Sequence, residues 1–289
     1  FEKNGFLLLK NIFEEKEILN LINLSLDEKK EDPSGYRDIL TYKHLYKILI
    51  NPRLIKALKD VLGPEITFMC DSQFHVNMIT KVKSKNLLHR DNQNNYDPST
   101  QIDVVRCGVY LNDYSKSSGN IKVGVGSHKS VRFNIKNLLR LTDFGCNLLM
   151  KRSVLKVGSY QKEVKKLKFS QLKWNILKSI STKPGDLVFW NLRTLHQGYA
   201  KKLKLLPKIT LSAFWEHVLP NFLFYPGPDN RNAIFFVVSG KISSDIDEYA
   251  DHRFDTIDKK TWKIKPSEEI IQKLKNTGYS VDLRGFSYK

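Results

Sequence analysis

The 289-residue sequence has no apolar run long enough to cross a membrane, few cysteines and a shortage of acidic residues. A membrane-spanning helix needs about 18 consecutive apolar residues, whereas the longest apolar runs, FLLL at 6–9 and AIFFVV at 233–238, have the length of strands. The three cysteines are an odd number at no metal-like spacing, which favours reduced thiols over a disulfide framework. We therefore expect a globular, cytoplasmic protein without a membrane span.

The shortage of acidic residues leaves a formal net charge of +18, from 48 Lys and Arg against 30 Asp and Glu. A basic protein of this kind invites a nucleic-acid partner, but the lysines are spread along the whole chain. The densest run, KRSVLKVGSYQKEVKKLKFSQLKW at 151–174, is more typical of a solvated insertion than of a recognition surface. We do not expect nucleic acid as the partner, and the charge favours an anionic small molecule.

The N-terminal part predicts a strand and two helices. GFLLLKNIF at 5–13 is short and apolar, and EEKEILNLINLSL at 14–26 places apolar residues on one helical stripe. The second helix begins at Asn51, a good cap, with Pro52 in its first turn and Gly63 after its end. These helices are expected to pack against a sheet.

From residue 66 onward, short alternating strands separated by turns predominate. A basic stretch at about 131–175 interrupts them, and a connection of that length is typical of a lid or a substrate-selecting loop. The last helix, SEEIIQKLKNTG at 267–278, has Ser267 as its predicted N-cap and lies in a C-terminal tail at about 255–289. We predict a single domain, residues 1–289, that is mainly β with flanking helices.

The tripeptide HRD contains His89 and Asp91 one residue apart. Successive side chains of a strand point to opposite faces, so these two would project to the same side. A histidine, a carboxylate and a second histidine form the facial triad of non-haem Fe(II) oxygenases. The pair alone is weak evidence, because a His-x-Asp arises by chance in many chains of this composition.

Among the other histidines, His196 is the best partner for this pair. It ends the alternating segment DLVFWNLRTLH at 186–196, which follows a Pro-Gly turn. His75 lies in the strand before His89 and could face the same cavity, whereas His128 closes a turn and is expected to brace it. His44 is expected to have a packing or surface role.

Four segments in a fixed order resemble the phytanoyl-CoA dioxygenase family over about residues 1–253. They are GFLLLKNIF near the start, HRD at 89–91, GVYLNDYSKSSGNIKVGVGSHK at 108–129 and KPGDLVFWNLRTLHQG at 183–198. The resemblance implies a double-stranded β-helix, or jelly-roll, core that binds Fe(II), 2-oxoglutarate and O2. By position, the implied iron ligands are His89, Asp91 and His196.

The resemblance also implies a basic residue that pairs with the far carboxylate of 2-oxoglutarate, on a strand after the distal histidine. Arg231 is preferred because a guanidinium offers two parallel hydrogen bonds to a carboxylate. Lys208, twelve residues after His196, is the alternative. Asn77 and Tyr110, on strands expected to line the cavity, are weaker candidates for cosubstrate contacts.

Two further arginines, Arg106 and Arg193, are expected to be structural. The resemblance implies hydroxylation of a small metabolite, natural product or sugar-type substrate, with release of succinate and CO2. In related halogenases a small residue replaces the carboxylate ligand, so Asp91 favours hydroxylation. Two alternatives remain: a catalytically inactive jelly-roll binding module, and a basic protein directed to nucleic acid.

Overall fold

The structure is a computed structural model. It describes residues 1–31, 37–79, 91, 103–128, 177–211, 213–228, 230–244, 246–247, 249–251 and 264–286. His89 and the predicted insertion at 131–175 lie outside this part of the chain. Within it, no helix is long and apolar enough to span a membrane.

Three α-helices begin within one residue of where the sequence places them, and a fourth, at 213–218, was not predicted. Their bounds are Glu15–Glu31 (α1), Pro52–Leu62 (α2), Ala213–Val218 (α3) and Glu268–Asn276 (α4). The Asn51 side chain accepts hydrogen bonds from the backbone N–H groups of Arg53 and Leu54, and Ser267 accepts one from Ile270. Both predicted N-caps are therefore confirmed, and each satisfies backbone donors that the first helical turn leaves without a partner.

Ten strands in the described ranges form two sheets. Their bounds are Phe6–Leu9 (β1), Ile66–Phe68 (β2), Gln73–Ile79 (β3), Val104–Tyr110 (β4), Asn120–Gly124 (β5), Leu177–Ser179 (β6), Leu187–Asn191 (β7), His196–Ala200 (β8), Asn230–Ser239 (β9) and Tyr279–Val281 (β10). The larger sheet has the order β1-β7-β4-β9-β2-β10, with β3 also paired to β9, and the smaller has the order β6-β5-β8. All pairings are antiparallel except that of β10 with β2. The prediction of a mainly β protein with flanking helices is confirmed.

The larger sheet has one face against the helices and the other against the smaller sheet. On β4, Val105, Cys107 and Val109 belong to the cluster that includes residues of α1, α2 and α4. Tyr110 instead packs with Ile121 and other apolar residues between the two sheets. Because side chains alternate along a strand, Arg106 and Gly108 share the face of Tyr110. We call the space between the two sheets the interior.

Asp38 is a buried carboxyl at the contact between the N-terminal region and the larger sheet. One carboxyl oxygen accepts a hydrogen bond from the backbone N–H of Leu40 (2.8 Å), and the other accepts one from the Ser72 hydroxyl (2.6 Å). Burial raises the pKa of Asp38 to about 7. The negative charge of Asp71 also raises it, and the hydrogen bonds to Asp38 lower it by less than burial raises it. The folded protein therefore favours the protonated acid.

We expect the free energy of unfolding to fall between about pH 4 and about pH 7 because of Asp38. The pKa of Asp38 is higher in the folded protein than in the unfolded chain, so its contribution to stability is fully present below the unfolded pKa. That contribution is lost as the pH rises through the folded pKa, by at most about 1.4 kcal/mol per pH unit. Urea unfolding at pH 5 and pH 8 measures this loss. Asp38→Asn should flatten the profile, whereas Asp60→Asn, at an exposed carboxylate, should leave it as in the wild type; equal slopes in all three proteins would contradict the assignment.

Candidate metal centre

Two of the predicted iron ligands, Asp91 and His196, lie side by side in the folded chain. The distance from Asp91 Oδ2 to His196 Nε2 is 3.6 Å. His196 is the first residue of β8, where it pairs with Val123 of β5, and the backbone N–H of Asp91 donates to the carbonyl of Leu192 (3.1 Å). The fold thus brings together two residues that are far apart in sequence and that the resemblance implied as iron ligands.

The hydrogen bonding of His196 leaves the ring nitrogen that faces Asp91 suited to metal binding. Its Nδ1 lies 3.0 Å from the carbonyl oxygen of Thr194. A carbonyl only accepts, so Nδ1 donates to it, and Nε2 is the ring nitrogen left to bind a metal next to the Asp91 carboxylate. This is the arrangement found for metal-ligating histidines, whose second nitrogen commonly donates to a carbonyl or a carboxylate.

Two electron-pair donors that face each other at 3.6 Å fit a bound cation. Metal bonds of about 2.0–2.2 Å to nitrogen and oxygen span such a separation easily. His196 is buried, and Asp91 is only partly exposed, so the pair lies in a site of restricted access to solvent. The donor set, one imidazole and one carboxylate, matches two of the three ligands of the Fe(II) facial triad.

The Asp91 carboxylate is held by two residues of the larger sheet. The indole Nε1–H of Trp190 donates to Asp91 Oδ2 (3.1 Å), and Arg106 Nε lies 4.0 Å from the same oxygen. Arg106 in turn contacts the buried carboxylate of Asp71 at 3.4 Å. Trp190 and Arg106 are direct partners in the β4–β7 register. The sequence did not predict these roles, because nothing in it shows that Trp190 and Arg106 are neighbours.

Gly108 allows the Trp190 indole to lie where it reaches Asp91. A Cβ atom added to Gly108 would lie 2.9 Å from the Trp190 ring and 3.1 Å from the Phe235 ring. Trp190 also packs against His196, with ring centroids 5.4 Å apart. A side chain at position 108 would displace the Trp190 indole. Because Gly108 has none, the indole can reach and orient the Asp91 carboxylate.

The third predicted ligand, His89, lies outside the described residues, and its role stays a prediction. Among the residues that are described, no group of three His, Cys, Asp or Glu could hold a metal ion. His75 is half-buried on β3, with its Nε2 2.9 Å from Gln73 Oε1 and its ring against Phe235. His128 lies with Nε2 2.8 Å from the carbonyl oxygen of Glu2, which agrees with the predicted bracing role.

Arg231 is near the start of β9, with its backbone opposite Met78 of β3. Its side chain is not among those described, but Ala233, two residues further along the same face of the strand, packs in the interior. The Phe235 and Trp190 ring centroids are 6.1 Å apart. Arg231 is four residues before Phe235 on β9, which is about 13 Å at about 3.3 Å per residue. A long guanidinium side chain and a five-carbon diacid together span that length.

The other two interior candidates lie on the strands where they were expected. Tyr110 is buried at the end of β4, with its ring edge-on to Tyr114 and Phe235 at 5.8 and 5.9 Å. Asn77 is on β3, within the irregular pairing between His75 and Met78, and its side chain is not described. Neither placement assigns a cosubstrate contact, and both remain predictions.

Lys208 lies away from these residues. Lys208 is exposed in a turn, and the segment after it leads into α3. Within the described chain it contributes instead to a separate cavity on the protein surface. The preference for Arg231 over Lys208 as the partner of 2-oxoglutarate stays a prediction.

Comparison with known proteins gives the family. The model of the phytanoyl-CoA dioxygenase (PhyH) family matches residues 25–202, which is more than half of the chain. The chain belongs to the phytanoyl-CoA dioxygenase family. The resemblance drawn from the sequence motifs is confirmed, and the matched region includes His89, Asp91 and His196 but ends before Arg231.

Individual members of the phytanoyl-CoA dioxygenase family and one solved structure add detail. Ectoine dioxygenases of Bordetella parapertussis and Bordetella bronchiseptica are each 27% identical over 150 residues, which are 45% of this chain and 47% of the relative. The chain thus spans about half the length of the curated relatives it matches. The crystal structure of the non-heme alpha ketoglutarate dependent carbocyclase SnoK from nogalamycin biosynthesis has a TM-score of 0.50 at 12% identity, over 85% of this chain and 87% of that one. This likeness confirms the jelly-roll fold.

Proposed function

We propose that this protein is an Fe(II)- and 2-oxoglutarate-dependent oxygenase that hydroxylates a small molecule. The observation that carries the proposal is the Asp91–His196 pair, 3.6 Å apart within a jelly roll of the phytanoyl-CoA dioxygenase family. Iron would be held by these two residues together with His89. Bound Fe(II) supplies O2 activation coupled to oxidation of 2-oxoglutarate to succinate and CO2, which side chains alone do not provide.

The chain's own residues would hold and orient the reactants. Trp190 and Arg106 fix the Asp91 carboxylate by the contacts described above. Arg231 would pair with the far carboxylate of 2-oxoglutarate, since a buried anion needs a cationic partner with matching geometry. The apolar interior, which includes Val188 and Phe235, excludes water from the space next to the site.

The substrate is proposed to be a small anionic metabolite, natural product or sugar-type molecule, favoured by the net charge of +18. Asn77 and Tyr110 are proposed to contact the cosubstrate, and the insertion at 131–175 to select the substrate. We propose a cytoplasmic location from the cysteine content. A jelly-roll binding module would lack 2-oxoglutarate turnover, and a nucleic-acid-directed protein would bind polynucleotide with a steep salt dependence.

Anaerobic titration with Fe(II) and 2-oxoglutarate tests the proposal. The wild type should develop a visible metal-to-ligand charge-transfer band that saturates at one 2-oxoglutarate per chain. Arg231→Ala should raise the 2-oxoglutarate concentration at half-saturation by about a hundredfold, because a buried charge-assisted pair is lost. Lys208→Ala removes a cation of the same sign from an exposed turn and should leave half-saturation unchanged.

The outcome of this titration separates the alternatives. No band in the wild type would refute the oxygenase proposal as a whole. A band that survives Arg231→Ala but shifts with Lys208→Ala would keep the proposed function and overturn the choice of cosubstrate residue.

A further inference from the structure

A polar cavity, which we call the lysine cleft, opens at the β6 edge of the smaller sheet. Its volume is about 740 Å³, and it is lined by Lys116, Lys178, Lys202 and Lys208 together with hydroxyl side chains and a few apolar residues. On β6 and the residues after it, Ile180 packs in the interior, whereas Ser179 and Ser181 line the cleft. Val125 and Lys178 also line it, so the cleft lies along β6, an edge strand of the smaller sheet.

The charge of the lysine cleft is of one sign. Among the described residues that line it, there is no aspartate or glutamate. Across the described ranges, the lysine–carboxylate ion pairs within 4.0 Å involve other lysines. Asp113 lies on the adjoining loop, where it accepts the backbone N–H of Ser115 at 2.7 Å, and it is outside the lining. Lys116, Lys202 and Lys208 thus border a common space with no anion among its described lining residues, whereas the Lys178 ammonium lies over the Phe6 ring.

The walls of the cleft are fixed to one another by hydrogen bonds. The Lys202 ammonium donates to the carbonyl of Ser115 and lies 3.4 Å from the Ser181 hydroxyl, so it joins the β4–β5 loop to the end of β6. The backbone N–H of Lys202 donates to Ser118 Oγ (3.0 Å), and that of Tyr225 donates to the Lys202 carbonyl (2.8 Å). These contacts hold the loop, β6 and the segment after β8 in one arrangement.

The opposite wall is held in a similar way. The hydroxyl of Thr210 accepts the backbone N–H of Ser179 at 2.9 Å, which attaches the segment after β8 to the edge of β6. Lys116 and Lys208 extend from the two sides of the opening and are exposed. A preformed site loses little conformational entropy when a ligand binds, which distinguishes this cleft from scattered surface lysines.

We propose that the lysine cleft binds a small molecule that carries phosphate groups, at a site separate from the iron site. Ammonium and hydroxyl donors match the acceptor oxygens of phosphate, and hydrogen bonds between charged partners are the stronger class. The volume is that of a site for a metabolite-sized ligand, and the lysines converge on one cavity instead of following the long stripe that polynucleotide needs. Lys208 has its place in this cleft.

Calorimetric titration of the metal-free full chain with inorganic pyrophosphate at physiological salt tests this inference. We expect one binding site per chain and competition by inorganic phosphate. Lys116→Ala/Lys208→Ala should weaken pyrophosphate binding by about tenfold or more, because two charge-assisted contacts are lost. Both lysines are exposed, so the fold should be retained.

The matched control is Lys16→Ala/Lys275→Ala, which removes the same charge from exposed positions of α1 and α4. It should change the affinity by less than about twofold, as expected of distant screened charges. Equal loss of pyrophosphate affinity in both double variants would overturn the inference in favour of diffuse attraction to a basic protein. So would single-stranded DNA that binds more tightly than pyrophosphate and loses affinity equally in both double variants. Absence of saturable pyrophosphate binding would refute it as well. Since the titration uses metal-free protein, its result is independent of whether the protein is an oxygenase.

Discussion

Replacing His196 with alanine should abolish stoichiometric Fe(II) binding and reduce 2-oxoglutarate turnover by about a thousandfold or more. Loss of an outer hydrogen-bond partner of a metal ligand typically costs roughly 10- to 100-fold, and loss of the ligand itself must cost more. The His196 ring is buried, is oriented by Thr194 and faces Asp91, so the substitution removes a donor that the fold holds beside the carboxylate. Anaerobic Fe(II) titration and succinate release measure the two quantities.

A control variant separates metal binding from general damage to the fold. His44→Gln changes a half-buried histidine near the N-terminal helices and should leave Fe(II) stoichiometry and succinate release as in the wild type. Asp91→Ala should behave like His196→Ala in the Fe(II) titration. Retention of one tightly bound Fe(II) in His196→Ala would contradict the assignment of β8 as the strand that carries the distal ligand.

Local sequence patterns predicted the secondary structure well because they depend on near neighbours. Asn51 and Ser267 were recognised as caps, and both form the expected hydrogen bonds. The alternation in DLVFWNLRTLH predicted one strand that ends at His196, but β7 ends at Asn191, and after a turn His196 begins β8 in the smaller sheet. Asp91 and His196 were paired through the order of four motifs, since spacing along the chain cannot bring two residues 105 positions apart together.

The environment of these ligands could not be predicted, because it depends on sheet register. Arg106 was interpreted as structural, and only the β4–β7 pairing shows that it lies opposite Trp190 beside Asp91. Lys208 was considered for 2-oxoglutarate from its distance along the chain, yet the segment after β8 leaves the sheet. The position of such a segment is set by long-range contacts, which single-sequence patterns do not contain.

Lys122 illustrates the same limit, and replacing it should destabilise the protein by about 3–5 kcal/mol. Lysine is almost never fully buried unless it is paired, but Lys122 is completely inaccessible on β5, with its Nζ 2.9 Å from Glu216 Oε1 and 2.8 Å from the carbonyl of Leu211. Lys122→Met would leave the Glu216 carboxylate buried without its counter-ion, the situation that costs most in a broken ion pair. Urea unfolding monitored by tryptophan fluorescence gives the free energy.

The Glu216 carboxylate also ties α3 to β8 beside the metal centre. Its Oε2 accepts from the Gln197 amide (3.2 Å) and its Oε1 accepts from the backbone N–H of Lys201 (3.1 Å). Gln197 follows His196 in sequence and lies opposite Lys122 in the β5–β8 register. Loss of the pair should therefore loosen the strand that presents the distal ligand, so Lys122→Met should weaken Fe(II) binding as well as lower stability.

A double variant shows whether the charge or the contact matters. Burial raises the pKa of Glu216, and neither Lys122 nor the hydrogen bonds from Lys201 and Gln197 fully offset that effect, so desolvation is the largest influence on this carboxyl. Lys122→Met/Glu216→Gln removes both charges while an amide oxygen still accepts from Lys201, and it should recover most of the stability lost in Lys122→Met. If the loss of stability in Lys122→Met/Glu216→Gln equalled the sum of the losses in Lys122→Met and Glu216→Gln, the two residues would not form a coupled buried pair.

The exposed pair of Lys56 and Asp60 on α2 provides the comparison. Its atoms are closer, at 2.6 Å, yet both side chains are largely in solvent. Lys56→Met should therefore cost less than about 1 kcal/mol, because screening by water leaves little net attraction. If Lys56→Met and Lys122→Met cost the same, burial would not be the source of the effect, and the attachment of α3 to β8 would have to rest on the apolar contacts of that segment instead.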